Sequence, residues 1–362
     1  MNQTKQELEL SQNFNLWTLL KFVSPSIFVF VFIAVYQMVD GLFIERFVGD
    51  VAISTVNLCF PVVTLFVAIG IMIGTGGNAL IVKKVGEGKH KEAGETFSRV
   101  IVFTILLGAV FTAVCLIFAD PIMRLCGATE GNIEYLRPYY TIMSAFSFAI
   151  LLQSELGIFI IGEGRTTVAA VVILVGGVLN CVLDYVFMRV FDWGIMGAAI
   201  ATVIGYCSTI VYAVWFYVIA KKSSYKLEMA KPDLKEIGQI CYNGSSDMVS
   251  NLAQAVTVLF RNHLVYRCYG EAGVSAFVVV TYVQVLISMV FMGFTTAVEP
   301  VFSFHYGSGN TEMRKRVFKL SMLWSVLLGV ILIVPLFLFR SSVVGFFFAR
   351  DTVYYEIRQR DI

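Results

Sequence analysis

Apolar residues in this chain come in long unbroken runs. Nine stretches stand out, at 16–44, 51–82, 100–119, 139–161, 166–188, 195–220, 240–264, 274–304 and 317–339. Each is about the ~20 residues that a helix needs to cross the hydrocarbon of a bilayer, or longer. The connections between them are short and carry most of the charge. The pattern therefore predicts an all-α polytopic membrane protein of about nine spans, with the lipid bilayer as its solvent. The first 15 residues are polar and mixed in charge, unlike a cleavable signal segment, which follows a basic start directly with an apolar run.

Charge in the connections sets an orientation. Numbering the spans in order assigns 17 of the 27 Lys and Arg residues to the side of the N-terminus, from Lys5 and Lys21 through Lys83, Lys84 and Arg99 to Lys319. Every lysine lies on that side; the other side holds only arginines, such as Arg46, Arg124 and Arg261. Excess Lys and Arg marks cytoplasmic loops. The reading is a multi-pass protein of the inner (plasma) membrane with a cytoplasmic N-terminus.

Composition agrees. Hydrophobic residues make up 58% and charged residues 14%, against about 45–50% and about 25% in soluble domains. A net charge of +2 gives no reason to expect nucleic acid as a partner. Seven cysteines lie singly, without CxxC spacing, and read as small buried apolar residues.

A repeat divides the chain. Displaced by 221 residues, Ser24 meets Ser245, Gly49 meets Gly270, Gly86 and Gly88 meet Gly307 and Gly309, and Phe97 meets Phe318. The charged stretch between spans six and seven separates the copies. The predicted organisation is a cytoplasmic tail (1–15), a six-helix N-lobe (16–220), an inter-lobe loop (221–236) and a partial C-lobe (237–362) of about three helices plus a tail. Two lobes built from a repeated six-helix unit are a common transporter plan, with substrate held between them. By this arithmetic the second lobe is incomplete, since Ile362 falls opposite Thr141. The expectation is a truncated product, with a natural nine-span protein as the alternative.

Ionisable groups inside spans are expensive and mark function by default. Asp40 lies in the outer half of span one. Asn180 and Asp184 are four residues apart on span five, hence on one helical face, and Thr202 lies on span six at the same depth. These four oxygen-bearing side chains suit a hard cation such as Na⁺, and the carboxylates alone suit protons. Glu299, before Pro300 on span eight, is a candidate for lining a central cavity, with Gln254, Asn251, Glu155 and Met289 as weaker ones. His90, His263 and His305 show no metal-ligand spacing, and no hydrolase or metalloprotease motif appears, so an enzyme is not expected.

The segments MVDGLFIERFVGDVAIS, GGNALIVKKVGEGKHKEA, LNCVLDYVF and EPVFSFHYGSGN together resemble the multidrug and toxic compound extrusion (MATE) family, over about 16–362. The resemblance implies twelve helices in two lobes, alternating access, and export of drug-like small molecules, often organic cations, in exchange for Na⁺ or H⁺, with no further cofactor. It places the N-lobe cation site of one branch on Asp40, Asn180, Asp184 and Thr202. Another branch uses an acidic residue on helix seven, where this chain has Gln254. Alternatives are a lipid-linked precursor flippase of the same superfamily and an inactive truncated fragment. The near absence of Lys and Arg within the spans favours the exporter over the flippase. Substrate identity, the choice between Na⁺ and H⁺, and oligomeric state are not expected from sequence.

Overall fold

The computed structural model describes residues 9–48, 50–219, 223 and 227–338, and among these every regular element is a helix. In lipid the backbone must satisfy its polar groups within the segment, so long apolar runs become helices. They are α1 (Leu16–Phe47), α2 (Asp50–Gly86), α3 (His90–Ile117), the short α4 (Ala119–Leu125), α5 (Ile133–Ala145), α6 (Ser147–Gly162), α7 (Thr166–Asp184), α8 (Gly194–Val214), α9 (Leu234–Gly307) and α10 (Thr311–Leu338). A π-helical turn, Tyr185–Val190, continues α7, and a second, Trp215–Ile219, continues α8. Asn15 caps α1: its side chain accepts from Thr18 N at 2.9 Å, and Thr18 Oγ1 accepts from Asn15 N at 2.7 Å.

Among the described residues seven helices are long and apolar enough to cross a membrane, eight if α5 and α6 form one span bent by 51°. This is one fewer than the nine expected. The stretch at 240–264 is helical, but Asn251, Gln254 and Arg261 dilute its apolar character. The Gly49–Gly270 match, the lysines at 221, 222 and 226, and the expected tail lie outside the described residues or pair with one that does.

Spans seven and eight, expected as separate helices, share the single helical element α9. It nevertheless doubles back. Arg261 donates to the side chains of Gln284 and Thr281, the latter at 3.0 Å, whereas 20 residues of straight helix would separate Arg261 from Thr281 by ~30 Å. Both ends of α9 also pack on α2: Ile240 meets Gly76, and Phe304 meets Gly86.

The repeat is written into these helices. Gly86 and Gly307 end α2 and α9, and His90 and Thr311 begin α3 and α10. Both pairs keep the 221-residue displacement. Gly88 (φ 76°) and Gly309 (φ 70°) both sit in the left-handed region that favours glycine, at the turn each copy needs there. Contacts between the copies are reciprocal. A Cβ on Gly86 would lie 2.3 Å from Phe304 O, and one on Gly307 would lie 2.0 Å from Lys83 O, which are equivalent positions. Parallel repeats facing each other across an approximate two-fold axis give this exchange.

The described buried residues of α9 lie at its two ends, Ile237, Ile240 and Gly244 on one leg and Gly293 to His305 on the other. Between 245 and 292 none is buried among the described residues. The copies thus meet at the lysine-rich end, and Val256, Phe260 and Leu264 are exposed toward the other.

Candidate functional site

Three helices of the first repeat converge through small residues. A Cβ on Gly177 of α7 would lie 2.7 Å from the Phe32 ring on α1, and one on Gly205 of α8 would lie 3.2 Å from Asn180 Cβ and 3.3 Å from Gly176 O. Small residues let helix backbones approach closely in a membrane. Here they bring polar side chains one turn further along into a single site.

Of the four oxygen-bearing residues named from the sequence, Asn180 lies against Thr202 and Asp40 against Asp184. Asn180 Nδ2 donates to Thr202 Oγ1 at 3.4 Å, and Thr202 donates its proton to Ala198 O at 3.0 Å. The Asp40 and Asp184 carboxyls lie beside each other. Asp184 is 0% exposed and Asn180 4%. Asp40 Oδ1, Asn180 Oδ1 and both carboxylate oxygens of Asp184 are buried without a hydrogen-bond partner.

These orphaned atoms are all acceptors. Such a set suits a cation or a proton, because uncompensated buried carboxylates are strongly unfavourable. Two carboxylates, an amide oxygen and a hydroxyl are hard oxygen ligands, suited to a cation such as Na⁺ and unlike the sulfur and imidazole sets of zinc sites. No three His, Cys, Asp or Glu side chains converge among the described residues. The π-helical turn begins directly after Asp184, an interruption that often accompanies functional sites.

Tyrosines missing from the sequence reading surround the site. Tyr36 and Tyr206 lie within electrostatic reach of Asp40, and Tyr139 of both aspartates. Two follow a pattern the sequence offered: Tyr36 stands one turn before Asp40, and Tyr206 one turn after Thr202, as Asn180 stands one turn before Asp184. Tyr139, on α5, carries no such signal. Tyr36, Gln153, Asn180, Thr202 and Tyr206 border a small cavity of ≈ 20 Å³, about the space of one water or one ion.

The weaker candidates do not gather. Glu155 is 0% exposed, enclosed beside Gly74 of α2, and accepts a 2.6 Å hydrogen bond from Thr104. Gln254 is exposed. Asn251 donates to Asp247 O of its own helix at 2.8 Å, and Met289 is half-buried. Glu299 is half-buried on the second leg of α9, with Asp247 of the first leg as its electrostatic neighbour. Sequence position alone cannot tell a buried packing carboxyl such as Glu155 from one facing a cleft.

A family model, MatE, matches residues 25–186 and 247–359. The chain is 22% identical over 342 residues to a FAD transporter of Shewanella oneidensis, covering 91% of this chain and 74% of that protein. It is 25% identical over 349 residues to a probable multidrug resistance protein, YoeA, of Bacillus subtilis, covering 92% and 74%. Its fold matches the solved outward-facing structure of a multidrug resistance MATE family transporter of the MOP superfamily, with TM-score 0.91, 21% identity, and 99% and 79% of the two chains covered.

Proposed function

The chain belongs to the MATE family of membrane transporters, and from that premise we propose that it is a secondary antiporter that exports small cationic or amphipathic compounds in exchange for Na⁺ or H⁺. The observation that carries this reading is the site at Asp40, Asn180, Asp184 and Thr202, whose unpartnered buried atoms are all acceptors. An ion that neutralises the two carboxylates changes the charge on α1 and α7 at once. Such an ion biases an alternating-access equilibrium by its differential affinity for the two states. In this reading the moving bodies are 16–220 and 237–362, joined by 221–236, with substrate between them near Glu299 and Asp247.

The relatives' names cover both drugs and a flavin nucleotide. A dianionic nucleotide would call for basic residues in the cleft. The scarcity of Lys and Arg within the spans supports a cationic or neutral cargo instead.

The test is efflux from membrane vesicles with Na⁺ and pH gradients imposed separately. Asn180→Ala and Thr202→Ala remove neutral ligands. They should harm Na⁺-driven efflux comparably to loss of a carboxylate and should leave H⁺-driven efflux largely intact. Efflux driven by neither gradient in the parent overturns the antiporter reading.

The proposed orientation has its own test. A cysteine at Gly88 or Ser223 should react with an impermeant reagent only from the cytoplasmic side, and one at Asp192 only from outside. Labelling of the Gly88 position in intact cells would reverse the topology.

A further inference from the structure

Glu236, in the first turn of α9, reaches across to the first repeat. Its Oε1 accepts from Lys84 Nζ at 2.6 Å and from Thr96 Oγ1 at 2.9 Å, and its Oε2 accepts from Arg99 Nη1. Lys84 is on α2, and Thr96 and Arg99 are on α3. The pairing is well enclosed: side-chain exposure is 10% for Glu236 and 16% for both Lys84 and Arg99. Thr96 is fully buried. Burial pushes the Glu236 carboxyl up, but Lys84, Thr96 and Arg99 more than offset it and hold the group below the usual carboxylate range.

The neighbouring chain adds to the same seam. Arg99 Nε donates to Lys231 O at 2.8 Å, and Ser98 Oγ accepts from Glu228 N at 2.9 Å. Immediately inward, α9 lies backbone to backbone on α2, with Gly244 facing Met72 O and Gly76 facing Ile240 O. Beyond this, toward the other end, the described residues of the α9 legs are not buried. Glu236 therefore stands at the rim of the seal that closes the lysine-rich end, and it binds groups that belong to the opposing repeat.

We propose that Glu236, with Lys84 and Arg99, is a state-dependent latch that forms when the lysine-rich end is closed and must break for that end to open. The latch rests on the transporter reading, in which that end alternates between closed and open. A carboxylate with charged donors on two of its three bonds is among the stronger polar contacts. It contributes only to the state in which both repeats supply their groups, so it weights one side of the equilibrium. It acts by holding that state, without touching ion or substrate.

Cys241 reports on the seam. It is half-buried on α9 between Ile240 and Tyr242, packed against the interior of the closed end. The experiment measures the rate of its alkylation by N-ethylmaleimide in membrane vesicles, quantified on the Cys241 peptide by mass spectrometry. Glu236→Gln and Lys84→Met should each raise the rate about tenfold, as expected for loss of a charged hydrogen bond. The double variant should raise it no further than the stronger single one, because both remove the same interaction. Glu87→Gln, which removes an ion pair with Lys83 and Lys89 at the same end but within one repeat, should leave the rate unchanged. Unchanged labelling in folded, monodisperse Glu236→Gln and Lys84→Met protein overturns the latch, as does an additive double variant. The readout needs no transported substrate, so a failed antiporter reading and a failed latch are told apart.

Discussion

Asp40→Asn is expected to abolish gradient-driven efflux while substrate binding in detergent stays within about twofold of the parent, since coupling energies of ~1–3 kcal/mol are lost selectively when one ligand's site is removed. Asp40 and Asp184 are adjacent carboxyls in a buried setting, with three of their four oxygens lacking a partner. With both charged, the pair repels itself, and an entering Na⁺ or proton relieves that repulsion. Asparagine at position 40 keeps the size of the side chain and removes the charge. The pair then no longer needs neutralisation, and binding of the ion no longer distinguishes the two states. Asp184→Asn should behave in the same way, because the charge belongs to the pair. The measurements are efflux under an imposed gradient and ligand binding to purified protein. Full efflux by Asp40→Asn at normal expression would remove Asp40 from coupling.

The second large effect is steric. A Cβ on Gly76 would lie 2.0 Å from Ile240 O, and one on Gly244 would lie 1.9 Å from Met72 O. Both obstacles are backbone, which cannot rotate away. Gly76→Ala and Gly244→Ala must therefore push α2 and α9 apart at the lysine-rich end, and overpacking of this kind typically costs about 1–3 kcal/mol. That cost falls on the closed state alone, so efflux should drop by roughly 5–150-fold while the helices still form. Gly238→Ala, on the same leg of α9 with nothing within 4 Å of the added atom, should retain parental efflux. Parental efflux by Gly76→Ala would mean that this close approach is not required in the cycle.

The repeat makes another close approach between α2 and α9 reciprocal. Gly86 faces Phe304 O and Gly307 faces Lys83 O, so each copy presents a glycine to the other's backbone at an equivalent place. Glu236 has no such symmetric counterpart, because Asn15, its partner at a displacement of 221, caps α1 instead. The packed floor of the seal is thus shared between the copies, whereas the polar rim belongs to the junction between them.

Much of this architecture is a property of the linear chain. Apolar runs of bilayer length must become helices, because lipid offers the backbone no other partner. The 221-residue displacement recurs as coincident helix boundaries at Gly86 and Gly307 and at His90 and Thr311. Asn180 and Asp184 share a face by helical periodicity alone. Other features depend on which helices meet. Periodicity cannot say that Tyr139 of α5 comes within electrostatic reach of Asp40 of α1, or that Glu155 takes Thr104 as its partner. Nor does any local pattern announce that Glu236 pairs with Lys84, 152 residues away. A glycine reads the same in sequence whether its missing side chain leaves room for a turn, as at Gly88, or for another helix's carbonyl, as at Gly76. Sequence carries the solvent each segment needs and the face each side chain takes on its own helix. Contacts between helices follow from how those faces pack, and that is where the acceptor site, the seal and its latch arise.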